Sequence, residues 1–168
     1  MDATQIASAL DEVFDQAIVY HGFADYMRDY DIFIYATADP RTGIQPEYVR
    51  YRFKYCVRVT AATALPVDVW ARSLDERLID YETGCDRDGY VWGVCWQVLY
   101  PGAALRLDSE EAATWSAQLR LPFYEAKIET NGHNLSLIFA DLEVESVTAG
   151  TVPFVVPAKG GPDFKIPR

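Results

Sequence analysis

The stretch Tyr48 to Thr60, YVRYRFKYCVRVT, decides how the rest of the chain is read. Val49, Tyr51, Phe53, Tyr55, Val57 and Val59 fall on one side. Arg50, Arg52, Lys54, Cys56, Arg58 and Thr60 fall on the other. Apolar/polar alternation of period two marks a half-buried β-strand, not a helical face, whose period is 3.6. The apolar side of such a strand needs partners. Tyr30 to Thr37, YDIFIYAT, is rich in β-branched and aromatic residues and predicts a strand over 30–37. The two pair as a hairpin across a connection of about ten residues, punctuated by Asp39-Pro40 and Thr42-Gly43.

Towards the N-terminus, residues 4–20 read as an amphipathic helix. Ile6, Leu10, Val13, Phe14, Ala17 and Ile18 follow the spacing of one helical face. Asp2 and Thr4 are candidate N-caps, His21 falls in the last turn, and Gly22 follows as a C-terminal stop. Towards the C-terminus, Pro66 opens a short helix that carries Val69, Trp70 and Leu74. An acid-rich stretch, 75–88, leads to YVWGVCWQVLY, a strand over 90–100 that is apolar on both alternations. Asp108 with Glu111 has the spacing of a capping box before a helix that turns Ala112, Trp115 and Leu119 inward. Strands over 123–130 and 135–144 flank Asn131-Gly132, a strong hairpin signature that His133 and Asn134 enlarge.

The expected fold class is therefore α+β: a mainly antiparallel sheet of about five strands, with the N-terminal helix and the short helices packed on one face. Residues 1–147 form a single domain by size. Residues 148–168, with Pro153, Pro157, Pro162 and Pro167 among three glycines, form a Pro/Gly-rich tail that is partly docked or disordered.

Composition narrows the function. The chain has 168 residues, a net charge of −10 and three cysteines, Cys56, Cys85 and Cys95. An odd set with no CxxC pair argues against a disulfide framework and for a reducing compartment. The N-terminus has no basic, apolar leader, and no apolar run approaches the ~20 residues of a membrane span. The expectation is a cytoplasmic protein with no membrane role. A strongly acidic chain also disfavours the nucleic-acid backbone, which calls for neutralising cations.

Candidate sites are few. Arg50, Arg52, Lys54 and Arg58 make a basic strip, read as a solvent-facing strand side whose charges pair with Glu125 and Glu129 on a neighbour. Asp80, Glu82, Asp86 and Asp88 are candidate contacts for a basic partner. The run Asp86-x-Asp88-Gly89 is only a fragment of a calcium loop, because its twelfth position is Gln97 rather than Glu. No metal or cofactor is expected, and no phosphate-cradling glycine loop occurs. Should the chain carry chemistry, His21, Cys56 and His133 are the residues to carry it. Cys56 is the candidate reactive thiol, since the basic strip would lower its pKa. Tyr26, Tyr30, Tyr35, Tyr51, Tyr55, Trp92, Trp96 and Tyr100 are available to line an aromatic pocket.

Four stretches carry a resemblance: ALDEVFDQAIVYHGFADYMRDYDIFIY, WARSLDERLIDYETG, GYVWGVCWQVLYPG and FYEAKIETNGHNLSLIFADLEV. Together they resemble the YxiG-like family of bacterial proteins over about residues 9–147. No catalytic motif comes with that resemblance. The layout is also similar to that of small immunity proteins found beside bacterial toxins, with an early helix ending near a His, a strand pair, and a late strand ending as IFADLEV. The resemblance implies a non-enzymatic acidic binding protein, an immunity-type inhibitor of a basic toxin or another basic partner. The alternatives are a small-molecule-binding protein or enzyme with an aromatic-lined pocket, and a homo-oligomer that uses an uncovered sheet face.

Overall fold

The structure, a computed structural model, describes residues 1–24, 27–36, 45–67 and 97–153. The fold class is α+β, and among the described residues every strand pairing is antiparallel. The strands form two sheets rather than one. The elements in chain order are α1 (Ala3–Asp11), β1 (Ala17–Phe23), β2 (Tyr30–Ala36), β3 (Glu47–Lys54), β4 (Arg58–Thr63), β5 (Gln97–Val98), β6 (Gly102–Arg106), α2 (Glu110–Leu119), β7 (Tyr124–Glu129), β8 (His133–Phe139) and β9 (Asp141–Val147). One sheet has the order β5-β1-β2-β3-β9, the other β4-β8-β7-β6.

The expected strand over 48–60 exists but is broken. β3 pairs with β2 from Tyr30↔Phe53 to Ala36↔Glu47, as the alternation requires. Then Tyr55 takes φ +51°, and the chain resumes as β4 in the other sheet. The strand expected over 135–144 breaks at the same level, into β8 and β9. Lys54 faces Asp141 and Arg58 faces Ile138, so Tyr55, Cys56 and Val57 lie opposite only Phe139 and Ala140. One extra residue on one strand of a pair is a β-bulge, and bulges bend strands. Backbone bonds hold both sides: Ala140 N donates to Lys54 O at 3.0 Å and Val57 N to Ile138 O at 2.8 Å. Two paired strands thus turn together from one sheet into the other. The bulge also resets the alternation. Tyr55 and Val57 become exposed, and Cys56 becomes buried.

The helix expected over 4–20 ends at Asp11. Asp2 caps it, accepting from Gln5 N at 2.9 Å while Gln5 Oε1 accepts from Asp2 N, a complete capping box. Beyond it Asp15 takes φ +61°, and Ala17–Phe23 is strand β1, antiparallel to both β2 and β5. Gly22 and His21, expected to end a helix, lie inside that strand. β-branched and aromatic residues at 18–20 favour the sheet, and sheet pairing overrides the helical spacing that continues past Asp11.

The sheets face each other across one core. α1 contributes Ile6, Ala9 and Leu10, the turn after it Val13, the first sheet Ile32, Ile34, Tyr51 and Phe53, the second Ala126, Ile128, Leu135, Leu137 and Phe139. Tyr51 OH donates to Ala9 O at 2.9 Å and fixes α1 against β3. α2 does not join α1. It covers the opposite face of the second sheet, where Ala112 and Trp115 meet Phe123, Ile138 and Ala140. Its N-cap is Ser109, one residue past the expected Asp108, and Leu119, expected inward, is 54% exposed. β6 was not anticipated. Its single apolar run is short, and Gly102, at φ +120°, opens it in a backbone region that favours glycine. The expected hairpin at Asn131-Gly132 joins β7 and β8. The helix expected after Pro66 and most of the strand expected over 90–100 fall outside the described residues. Among the described residues no helix is long and apolar enough to cross a membrane.

Candidate functional site

The outer face of the first sheet carries the basic strip. Register explains its neutralisation. Arg52 lies opposite Asp31 on β2 and Glu143 on β9, and Arg50 opposite Glu145. Asp31 is only 4% exposed and takes a bidentate pair from Arg52, Nε at 2.8 Å and Nη2 at 2.9 Å. That geometry is the strong form of a charge-assisted hydrogen bond, and it holds the guanidinium pKa above its ordinary value. Arg50 pairs with Glu145, and Lys54 with Glu143 at 3.7 Å. Arg58, past the corner, pairs with Glu111 and with Glu125 at 2.9 Å. The strip is therefore internally paired, as expected. Its partners are mostly on β2 and β9, while Glu129 pairs instead with Lys127 at 2.9 Å.

Glu125 is a residue that sequence reasoning valued only as a surface partner. It is buried and accepts from Ser109 Oγ at 2.5 Å and Ser136 Oγ at 2.8 Å. Burial pushes its carboxyl up. The two serine hydrogen bonds and the charges of Arg58 and Arg106 outweigh burial and hold it below the usual carboxylate range. Ser109 also accepts from Ala112 N at 3.2 Å, so one carboxylate ties the start of α2 to β4, β7 and β8.

Cys56 lies in the core near Tyr30, and His133, at the start of β8, is near enough for its charge to act on His21. His21 lies opposite Ile32 and so shares the core-facing side of the first sheet. Its Nδ1 is 2.6 Å from Tyr30 OH. Burial pushes the Tyr30 phenol up to about 12, helped by Cys56 and Tyr20 nearby. Burial lowers the His21 pKa, and the charge of His133 lowers it further. A protonated phenol beside a neutral imidazole donates to Nδ1, which leaves the ring proton on Nε2. His133 begins β8 rather than extending the turn.

Cys56 departs from expectation. The bulge turns it inward, away from the basic strip, and burial pushes its thiol up to about 12. Its Sγ donates to Arg58 O at 3.4 Å. A thiol so placed is protonated at neutral pH and is a poor nucleophile. Tyr30, one of the expected pocket aromatics, instead bonds His21 and packs in the core.

A cavity of about 350 Å³ opens on the outer face of the first sheet. Its floor is Val19 and Tyr20 of β1, Phe33 of β2, Tyr48 of β3 and Val147 of β9. Thr148, Gly150, Thr151 and Pro153 form a wall. None of the described aromatics expected to line a pocket lines this cavity. Tyr51 is in the core, Tyr55 and Tyr100 are exposed, Tyr30 bonds His21, and Tyr35 meets Tyr48 at a tilt of 45° with ring centroids 5.1 Å apart. Tyr26, Trp92 and Trp96 lie outside the described residues, as do Asp80, Glu82, Asp86 and Asp88.

A family model described as YxiG-like protein matches residues 2–157. No curated protein matches the chain.

Proposed function

The chain belongs to the YxiG-like family, and from that premise we propose that it is a non-enzymatic acidic binding protein that holds a basic protein partner, in the manner of an immunity-type inhibitor. One observation carries this reading. The cations of the β3–β4 strip are occupied by the protein's own carboxylates, while Asp11 and Glu12 stand exposed at the C-terminal end of α1 and Asp15 in the turn beyond it. That end of a helix is its negative pole, and no basic residue lies in its last turn. Carboxylates there cost about 0.3–1 kcal/mol each, so stability does not explain them. A basic surface docked against them would remove that repulsion. The net charge of −10 speeds encounter with such a partner. The quiet state of Cys56 and His21 supports a role without nucleophilic chemistry.

The sequence offers a second acidic contact at Asp80, Glu82, Asp86 and Asp88. The test compares two charge-reversed variants against a captured basic partner. One carries Asp11→Lys, Glu12→Lys and Asp15→Lys. The other carries Asp80→Lys, Glu82→Lys, Asp86→Lys and Asp88→Lys. We expect at least one set to weaken binding tenfold or more, with the fold intact by circular dichroism. Unchanged affinity in both variants would rule out the acidic contact.

A further inference from the structure

We infer that the cavity on the outer face of the five-stranded sheet is a binding site for a small, neutral, planar ring compound of one or two fused rings. The size sets the ligand. A cavity of about 150 Å³ holds one benzene, and this one is about 350 Å³, room for a bicycle. The floor sets the shape. Tyr20 and Phe33 meet edge to face, with centroids 6.0 Å apart and planes at 64°, and Tyr48 lies beside them on β3. Flat apolar rings pack well on such a floor.

Charge is selected against. No described lining residue carries one. The charges of the neighbouring Arg50 and Arg52 are balanced by Glu145 and Asp31, so an anion would meet no net positive charge there. A cation would find no described carboxylate in the lining. The wall does offer one polar anchor. Thr151 Oγ1 donates to Thr148 O at 2.8 Å and lies 3.3 Å from Thr148 Oγ1, so its remaining lone pair can accept from a ring N–H or O–H.

Gly22 supports the arrangement. A Cβ there would sit 2.6 Å from Tyr20 OH, so glycine lets the Tyr20 ring lie along the strand and border the cavity.

The test titrates the full chain with indole and 2-naphthol, with choline and benzoate as charged counterparts, and follows backbone amide shifts by NMR. Indole and 2-naphthol should saturate and move the amides of Val147, Thr148, Gly150 and Thr151, and choline and benzoate should not. Val147→Trp, which fills the floor, should weaken indole at least tenfold. Thr148→Trp, at the exposed rim, should do the same should the first variant fail to fold. Failure of both neutral rings to saturate would overturn the inference. So would tighter binding of choline or benzoate, shifts confined to other residues, or undiminished binding in the folded variants.

Discussion

At the scale of single residues, burial decides chemistry in this protein more than neighbouring charge does. Cys56 stands two residues from both Lys54 and Arg58, yet its thiol is pushed up to about 12. At pH 8 a thiol with that pKa exposes about a thousandth of the thiolate that an ordinary one does. Iodoacetamide should therefore leave Cys56 unmodified in the folded protein and label it in denaturant, read peptide by peptide by mass spectrometry. Comparable labelling in both states would show the thiol to be open. His21 gives a pH dependence whose sign follows from its lowered pKa. The unfolded chain takes up this proton near pH 6.5 and the folded chain only below that. Stability is thus whole above pH 6.5 and falls as the pH drops through that value towards the folded pKa. The urea midpoint should fall between pH 7.5 and 5.5, and His21→Gln should remove much of that fall. Glu125, held low, adds a separate loss that begins only below its ordinary value of 4.5. A midpoint that is flat to pH 5.5 in the native protein would contradict the His21 assignment.

At the scale of elements, the corner where β3 becomes β4 and β8 becomes β9 organises the molecule. Tyr55 holds a left-handed backbone there, which costs an L-residue about 1–2 kcal/mol. Part of that is returned by Asp29 Oδ1, which accepts from Tyr55 N at 3.0 Å, and by Arg28, whose guanidinium lies 4.9 Å from the Tyr55 ring centroid. Tyr55→Gly relieves the backbone but loses a cation–π contact of about 0.5–1 kcal/mol, so we expect a net change within about 1 kcal/mol. Tyr55→Val keeps the strain, adds β-branching and loses the ring, and should cost about 2 kcal/mol by urea unfolding. If Tyr55→Val is as stable as Tyr55→Gly, the backbone at 55 is not left-handed in solution. The same corner shows what the sequence could reveal. Alternation over 48–54 and the Asn131-Gly132 turn were legible, because local period and turn chemistry determine them. The break was not, because YVRYRFKYCVRVT alternates straight through Tyr55, and the bulge answers to the strand beside it. Helix α1 was legible in its cap and its first buried face. Its end was not, because Val13, Ala17 and Ile18 are buried whether Ala17 belongs to a helix or to β1. Of the candidate site, pairing of the basic strip was legible, and so was Glu125 as the partner of Arg58. Asp31, Glu143 and Glu145 were not, because register between distant strands assigns them, and Tyr20, Phe33 and Tyr48 meet only once β1, β2 and β3 are side by side.

At the scale of the whole molecule, charge is unevenly used. Acids outnumber bases by ten, and the β3–β4 cations close on carboxylates of the same fold. The surplus of charge is negative. The proposed role as a holder of a basic partner rests on that surplus, and it predicts strong dependence on salt, because exposed charges more than about 10 Å apart are screened at about 0.1 M and far more at higher salt. The measurement that tests it most directly is affinity capture from an extract of the cells that make the protein. The full chain serves as bait, and bound proteins are quantified by mass spectrometry at about 0.1 M and about 0.5 M salt. The account predicts one basic protein, near one copy per bait at the lower salt and largely lost at the higher. A bait that returns clean, or one that holds an acidic protein equally at both salts, would contradict it.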